Sequence, residues 1–280
     1  MLQRLLPRSN ETIRFPSAMQ AEAKVVSHEP VQAGYRLLRL SCPGLATQAS
    51  PGQFIHVRIP ALDSGALRRP FSLCDVHPED GTITVLYKQV GRGTAAMAGL
   101  RAGDPVDIIG PLGRGFKLPE AGVTPLLVGG GFGVAPLYYL ARTIGRPVHL
   151  FVGGRTANDI LLVDWFERLG FCEVHPATDD GSFGVKGLVT KPLDDWRSDH
   201  ADTPVALYAC GPGPMLHAID DRAVAWKVPG FISFDRRMAC GVGACLGCTQ
   251  KIRAGGMVAI ARVCADGPVF RAGQIVWEEV

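Results

Sequence analysis

Charge of one sign is scarce in this chain: the lysines and arginines are dispersed, the net charge is only +3, and aromatic residues make up 8%. With no basic stripe interleaved with stacking rings, nucleic acid is not an expected partner. Long apolar spans are also missing. The stretch Val123 to Ala141 runs for nineteen residues without a charge, but four glycines and two prolines break it. It reads as strand, turn and helix rather than a membrane span. Met1 to Leu6 offers a short apolar stretch interrupted by Arg4, well short of a secretory h-region. The expectation is therefore a cytoplasmic protein with reduced thiols and no disulfides. At 280 residues and 47% hydrophobic content, the chain can fill two domain cores and a small module.

Cysteine is where the sequence is rich. Cys240, Cys245 and Cys248 follow a C-x4-C-x2-C spacing, and Cys264 comes after fifteen intervening residues. This is the plant-type [2Fe-2S] ligand pattern. Zinc is the weaker alternative, because there is one short x2 pair and no histidine nearby. Thiolates must converge on the irons from several directions, so the chain has to loop around them. Gly241, Gly243 and Gly247 are expected to take positive φ and turn backbone N–H groups toward the sulfurs. Cys42, Cys74, Cys172 and Cys210 are scattered and read as reduced, mostly buried thiols.

The segment TPLLVGGGFGVAPLYYLAR predicts a buried strand at Leu126 to Val128, a glycine turn through Gly129, Gly130, Gly131 and Gly133, and a helix opening near Ala135 or Pro136. Such a turn at a helix N-terminus can admit a nucleotide's phosphates, or can simply permit close helix–strand packing. Pro136 stands where the third glycine of G-x-G-x-x-G would fall. Strand and helix then alternate: strands at Val148 to Val152, Glu173 to Ala177 and Val205 to Ala209, and helices at Leu162 to Leu169 and from Met215. The last strand runs into Cys210, Gly211 and Pro212, a position where open parallel sheets bind ligands. Cys210 is equally readable as a small core residue.

From Ala21 to Gly110 the texture changes. Apolar runs at Tyr35 to Leu40, Phe54 to Ile59, Phe71 to Val76, Thr82 to Tyr87 and Pro105 to Ile109 recur between turn residues, which predicts an antiparallel barrel. Arg68-Arg69-Pro70-Phe71-Ser72 places a guanidinium and a hydroxyl at the start of a strand. Gly91-Arg92-Gly93-Thr94 leads into a short helix, Ala95 to Leu100, with Thr94 as the expected cap.

Taken in order, R-P-F-S, G-R-G-T, G-P-L-G-R-G-F at Gly110 to Phe116, G-G-G-F-G-V-A-P, T-D-D-G-S-F-G-V-K-G-L-V-T at Thr178 to Thr190, C-G-P, M-A-C-G-V-G-A-C-L-G-C and R-V-C-A-D-G-P-V-F resemble the electron-transfer subunits of class 1B dihydroorotate dehydrogenases. These belong to the ferredoxin-NADP reductase superfamily. The resemblance spans Ala21 to the C-terminus and implies a multidomain α+β protein. An FAD-binding antiparallel Greek-key β-barrel (21–120) would precede an α/β parallel-sheet NAD-binding domain (121–228) and a small [2Fe-2S] module (229–280). The first twenty residues, with Arg4, Arg8 and Arg14, match nothing in this pattern and read as a disordered extension.

The resemblance also assigns residues. Arg69, Pro70, Phe71 and Ser72 would line the flavin, with Leu86, Tyr87 and Lys88 as a second flavin strand and Gly93 and Thr94 as its pyrophosphate turn. Gly130, Gly131, Gly133, Cys210, Gly211 and Pro212 would face NAD, and Cys240, Cys245, Cys248 and Cys264 would hold the cluster. Relatives often have Glu before the cluster loop, where this chain has Asp235-Arg236-Arg237. At the end of the second sheet strand, where a carboxylate would grip the NAD ribose, Arg155 stands, leaving NADPH open.

A nicotinamide exchanges two electrons and a cluster one, so a flavin between them is required. The implied partner is an FMN-containing dihydroorotate dehydrogenase catalytic subunit in a heterotetramer serving pyrimidine biosynthesis. This chain shows no catalytic base for dihydroorotate and no room for a barrel of about 250 residues. An NAD(P)H-dependent reductase subunit of another redox complex is the alternative.

Overall fold

Burial on both sides, rather than strict alternation, shapes the first domain. In the computed structural model, which describes residues 18–59 and 67–277, six strands close into an antiparallel barrel: β1 (Met19–Pro30), β2 (Tyr35–Ser41), β3 (Phe54–Val57), β4 (Arg69–His77), β5 (Thr82–Lys88) and β6 (Pro105–Leu112), in the order β1-β2-β5-β4-β3-β6. β5 is buried along nearly its whole length. Its Ile83, Val85 and Tyr87 fill the barrel, while Leu86 joins the core of the second domain. A continuous apolar run results, as expected of a strand covered on both faces. Helix α1 (Pro43–Ala46) follows β2, and α2 (Arg92–Met97) follows β5.

The second domain is a seven-stranded sheet. β7 (Thr124–Gly130), β8 (Val148–Gly154), β9 (Cys172–Thr178), β10 (Val185–Lys186), β11 (Val205–Cys210) and β12 (Gly230–Ser233) run parallel, and β15 (Val269–Arg271) pairs antiparallel with β12. The order is β10-β9-β8-β7-β11-β12-β15. Helices α3 (Val134–Ile144), α4 (Val163–Glu167), α5 (Thr190–Asp199) and α6 (Gly213–Trp226) connect the strands. β13 (Thr249–Ala254) and β14 (Met257–Arg262) form a hairpin between the cysteine loop and Cys264.

The barrel and sheet are locked together by α3. Tyr139 donates to the Ala49 carbonyl at 2.9 Å, and Arg142 reaches Asp75 of β4 at 2.5 Å and the Val76 carbonyl at 3.1 Å. Asp75 is nearly buried, so its charge requires this partner.

The antiparallel barrel and parallel sheet expected from the sequence are present. Three details differ. Met19 and Gln20 belong to β1, paired with Gly110 and Ile109, although both fall in the expected extension; residues 1–17 lie outside the described residues. Helix α2 begins at Arg92, so Thr94 sits inside its first turn instead of capping it. Its hydroxyl reaches back to accept from the Val90 and Gly91 N–H groups. β12 and β15, both within 229–280, are strands of the sheet, because β12 continues the parallel ladder from β11 and offers its other side to β15.

The C-terminal segment is fastened to α6 by Asp220, which is 3% exposed and accepts from the Gly273 N–H and from Trp277 Nε1, each at 2.7 Å. Asp220→Ala should destabilise the protein by about 2 kcal/mol, since both donors lose a charged acceptor. The denaturant midpoint measures this, and an unchanged midpoint would show the anchor to be idle.

Candidate functional site

A cavity of about 220 Å³ opens where the barrel, the sheet and the cysteine-loop segment meet. β4 contributes Pro70, Phe71 and Ser72, and β5 contributes Leu86, Tyr87 and Lys88. Strand register assembles this wall: Phe54 of β3, also a lining residue, is opposite Ser72. Phe71 meets Tyr87 edge-on at 5.8 Å. The Tyr87 hydroxyl lies 2.8 Å from His28 Nε2, while His28 Nδ1 lies 3.0 Å from the Leu100 carbonyl. A carbonyl can only accept, so Nδ1 carries the proton and Nε2 accepts from the phenol. Burial pushes Tyr87 up to about 12 and lowers His28, which keeps the pair neutral. Lys88 is tied across the domain junction, 3.6 Å from Asp159 and 4.5 Å above the Tyr35 ring.

The second wall is built by the turns after β7 and β11, neighbouring strands from which the sheet is built outward in opposite directions. Such a reversal opens a crevice at the strands' carboxyl ends. Phe132 and Gly133 come from one turn, Cys210 and Gly211 from the other. A Cβ on Gly133 would lie 2.2 Å from the Cys210 carbonyl oxygen, so glycine alone lets the two turns seat on each other. Burial pushes the Cys210 thiol up to about 12 against a hydrogen bond to Ser233, and Sγ stays protonated. Ser233, Phe234, Asp235, Met238 and Pro268 complete the walls, and burial raises the Asp235 carboxyl above the ordinary range.

Next to Met238 the four cysteines come together with no disulfide among them. Every sulfur accepts a backbone N–H: Cys240 from Cys245, Cys245 from Gly247, Cys248 from Cys264, and Cys264 from Gly243, at 3.2–3.5 Å. Cys248 and Cys264 are 3.2 Å apart, sulfur to sulfur. Burial works against charge on Cys240, but the surrounding backbone donors outweigh it and bring the thiol down to about 6. Burial and the adjacent Cys248 push Cys264 up to about 12. Four sulfurs ringed by N–H donors fit an iron–sulfur cluster, whose sulfurs such donors stabilise. Gly241 and Gly243 take positive φ as expected; at the third position Leu246 adopts φ 60 and Gly247 does not.

Among the flavin positions, Pro70, Phe71, Ser72, Leu86, Tyr87, Lys88 and Thr94 line the cavity. Arg69 and Gly93 do not; the Arg69 guanidinium turns back to the Leu67 and Arg68 carbonyls. Of the nicotinamide positions, Gly133, Cys210 and Gly211 line the same cavity, while Gly130, Gly131 and Pro212 do not. Sequence reading missed Phe132, whose signal was an aromatic amid glycines; it remains 55% exposed at the cavity. His56 was missed as well. It is fully buried on β3, and neither ring nitrogen has a hydrogen-bond partner among the described residues. Burial, with Arg68 and Arg69 nearby, lowers its pKa to about 4.

Three family profiles cover the chain: an oxidoreductase FAD-binding domain at 22–116, an oxidoreductase NAD-binding domain at 127–221, and the iron-sulfur cluster binding domain of dihydroorotate dehydrogenase B at 235–276. The chain is 46% identical over 231 residues to the dihydroorotate dehydrogenase B (NAD(+)) electron transfer subunit of Bacillus caldolyticus, covering 81% of this chain and 86% of that protein. It is 40% identical over 268 residues to the corresponding subunit of Shouchella clausii, covering 94% and 97%. The chain belongs to the family of dihydroorotate dehydrogenase B electron transfer subunits. A solved NADH-dependent reduced ferredoxin-NADP oxidoreductase, studied for flavin-based electron bifurcation, matches with TM-score 0.79 and 29% identity over 92% of this chain and 90% of that one.

Membership gives the three segments their cofactors: FAD on the barrel, NAD on the sheet and an iron–sulfur cluster at the C-terminal segment. Among the described residues, no helix is long and apolar enough to cross a membrane. Gly241, at φ 73, carries the cluster loop past His56; a Cβ there would lie 2.6 Å from His56 Nδ1. Gly241→Ala therefore strains the loop by about 1–3 kcal/mol. Iron and acid-labile sulfide per chain should fall while bound flavin is retained, and full iron content in the variant would refute the packing argument.

Proposed function

We propose that the chain exchanges electrons between NAD+ and an FMN-containing, dihydroorotate-oxidising catalytic subunit, assembled with it as a cytoplasmic heterotetramer in pyrimidine biosynthesis. The observation that carries this reading is a cavity that brings the expected flavin and nicotinamide residues together with the segment leading into the cysteine loop. When bound, a nicotinamide supplies a hydride, a flavin divides electron pairs and a [2Fe-2S] cluster carries single electrons.

In this reading Pro70, Phe71 and Ser72, with Leu86, Tyr87 and Lys88, hold the isoalloxazine. Arg69 flanks this flavin wall, and Gly93 and Thr94 form its pyrophosphate turn. Gly130, Gly131 and Gly133 with Cys210, Gly211 and Pro212 take the nicotinamide nucleotide, and Cys240, Cys245, Cys248 and Cys264 hold the irons. The apolar surfaces of Phe54, Phe71, Phe132 and Phe234 exclude water from the place where hydride moves. Protonated Cys210 adds no charge there.

Docking on the cluster loop is supported by its surface. Cys245 is exposed, and Val242 and Leu246 on either side of it are 51% and 58% exposed. Apolar side chains around an exposed ligand suit a partner that receives single electrons at short range. The likeness to the NADH-dependent reduced ferredoxin-NADP oxidoreductase, together with Arg155 after β8, favours a second reading as a reductase subunit of another complex.

The test is co-purification with an FMN-containing dihydroorotate dehydrogenase subunit and assay of dihydroorotate-dependent NAD+ reduction. Activity is expected from the complex. Val242→Asp with Leu246→Asp should weaken assembly by at least about 10-fold, since each buries a charge at the contact, while NADH-driven dye reduction by the isolated subunit persists. Assembly unaffected by these charges would move the docking face elsewhere, and no dihydroorotate-linked turnover would leave the second reading.

A further inference from the structure

On the sheet face covered by α5, three side chains with metal-binding chemistry converge. His149 is the second residue of β8, and Glu173 and His175 stand on β9. The parallel register sets His149 beside Glu173 and Phe151 beside His175. Side chains two apart on a strand share a face, so these four residues form a patch two strands wide. Phe151 stacks on His175 at 4.5 Å, and Trp196 of α5 packs against His149 at 4.7 Å. Both imidazoles are thereby held in place before any ligand arrives.

The spacing of the ligating atoms decides between two accounts of the patch. His149 Nδ1 lies 3.2 Å from His175 Nε2. Glu173 straddles them, with Oε2 3.3 Å from His149 Nδ1 and Oε1 3.6 Å from His175 Nε2. The two ring nitrogens can share one proton in a hydrogen bond, but the carboxylate contacts exceed the roughly 2.7–2.9 Å of charge-assisted bonds. As edges of a coordination shell the 3.2 and 3.3 Å separations fit, and the 3.6 Å one is slightly long. Nitrogen and oxygen ligands about 2.0–2.1 Å from a tetrahedral zinc stand about 3.3–3.4 Å apart.

The chemistry agrees with the spacing. Two imidazoles and one carboxylate select a borderline transition cation over magnesium or calcium. Glu173 is 66% exposed, so the fourth coordination position opens to solvent, as in three-ligand zinc sites. The four cluster cysteines belong to a different part of the chain and take no part.

We propose that His149, Glu173 and His175 form a second metal site, binding one zinc ion that pins β8 to β9. The inference stands whether or not the electron-transfer partner is the one proposed above. Its consequence is that the stability of the sheet domain depends on zinc, because an ion bound only by the folded strands favours the folded state.

The experiment uses the protein loaded with FAD and cluster, dialysed against zinc chloride, with zinc and iron measured in the same samples. One zinc per chain with unchanged iron is expected, and thermal unfolding should shift upward with zinc. Zinc-edge X-ray absorption should show nitrogen and oxygen neighbours at about 2.0–2.1 Å without the sulfur shell near 2.3 Å that cysteine ligands would give. His149→Gln with His175→Gln should abolish binding. Glu173→Gln, an exposed change that leaves the fold intact, should weaken it by more than the roughly 10–100-fold typical of losing an outer partner. Absence of zinc on the wild-type protein, sulfur in its coordination shell, or undiminished binding by Glu173→Gln would each overturn the assignment.

Discussion

Phe54 and Leu112 leave the barrel's own core and pack among the sheet residues Val128, Leu207 and Ile232 and the cysteines Cys248 and Cys264. The rest of the site depends on this shared core. Electron transfer between bound groups weakens steeply with separation, so a flavin wall and a cluster loop on freely moving domains would work only in passing. Here the same apolar contacts that stabilise folding fix the distance between them. A core has no slack to give: side chains at native packing density transmit displacement rather than absorb it.

The Arg142–Asp75 contact complements that core at the same junction. One holds by excluded water, the other by a nearly buried carboxylate that cannot lose its guanidinium without a large penalty. Between them, Lys88 and Asp159 bridge the margin of the cavity itself. The three contacts differ in range and in sensitivity to salt, yet all join the same two domains.

Much of this was legible in the residues. β2, β5 and β7 announced themselves as apolar runs because they are covered on both faces, and the cysteine spacing dictated a loop. β1 was not recognised as a strand: only Ala23 and Val25 of its twelve residues are buried, too little apolarity to mark a period. β12 and β15 were missed because four- and three-residue strands carry almost no pattern; their identity comes from the ladders that receive them. His56 illustrates the limit more sharply. A single histidine in a strand has no periodic meaning, and its place against Gly241 arises only when distant parts of the chain meet. The glycine turn after β7 was readable as special, but the reason Gly133 must be glycine lies in the Cys210 carbonyl, a neighbour supplied by topology.

The antiparallel attachment of β15 to β12 has a further effect. An open edge in a parallel sheet presents unpaired amides and carbonyls that invite another chain to add a strand, a route to aggregation. At one border the sheet ends in β10, only two residues long; at the other, β15 occupies the hydrogen-bonding positions of β12. The segment after Cys264 therefore also acts as a selvedge. Truncating it would bare a sticky border as well as loosen the irons, so loss of solubility and loss of colour should arrive together.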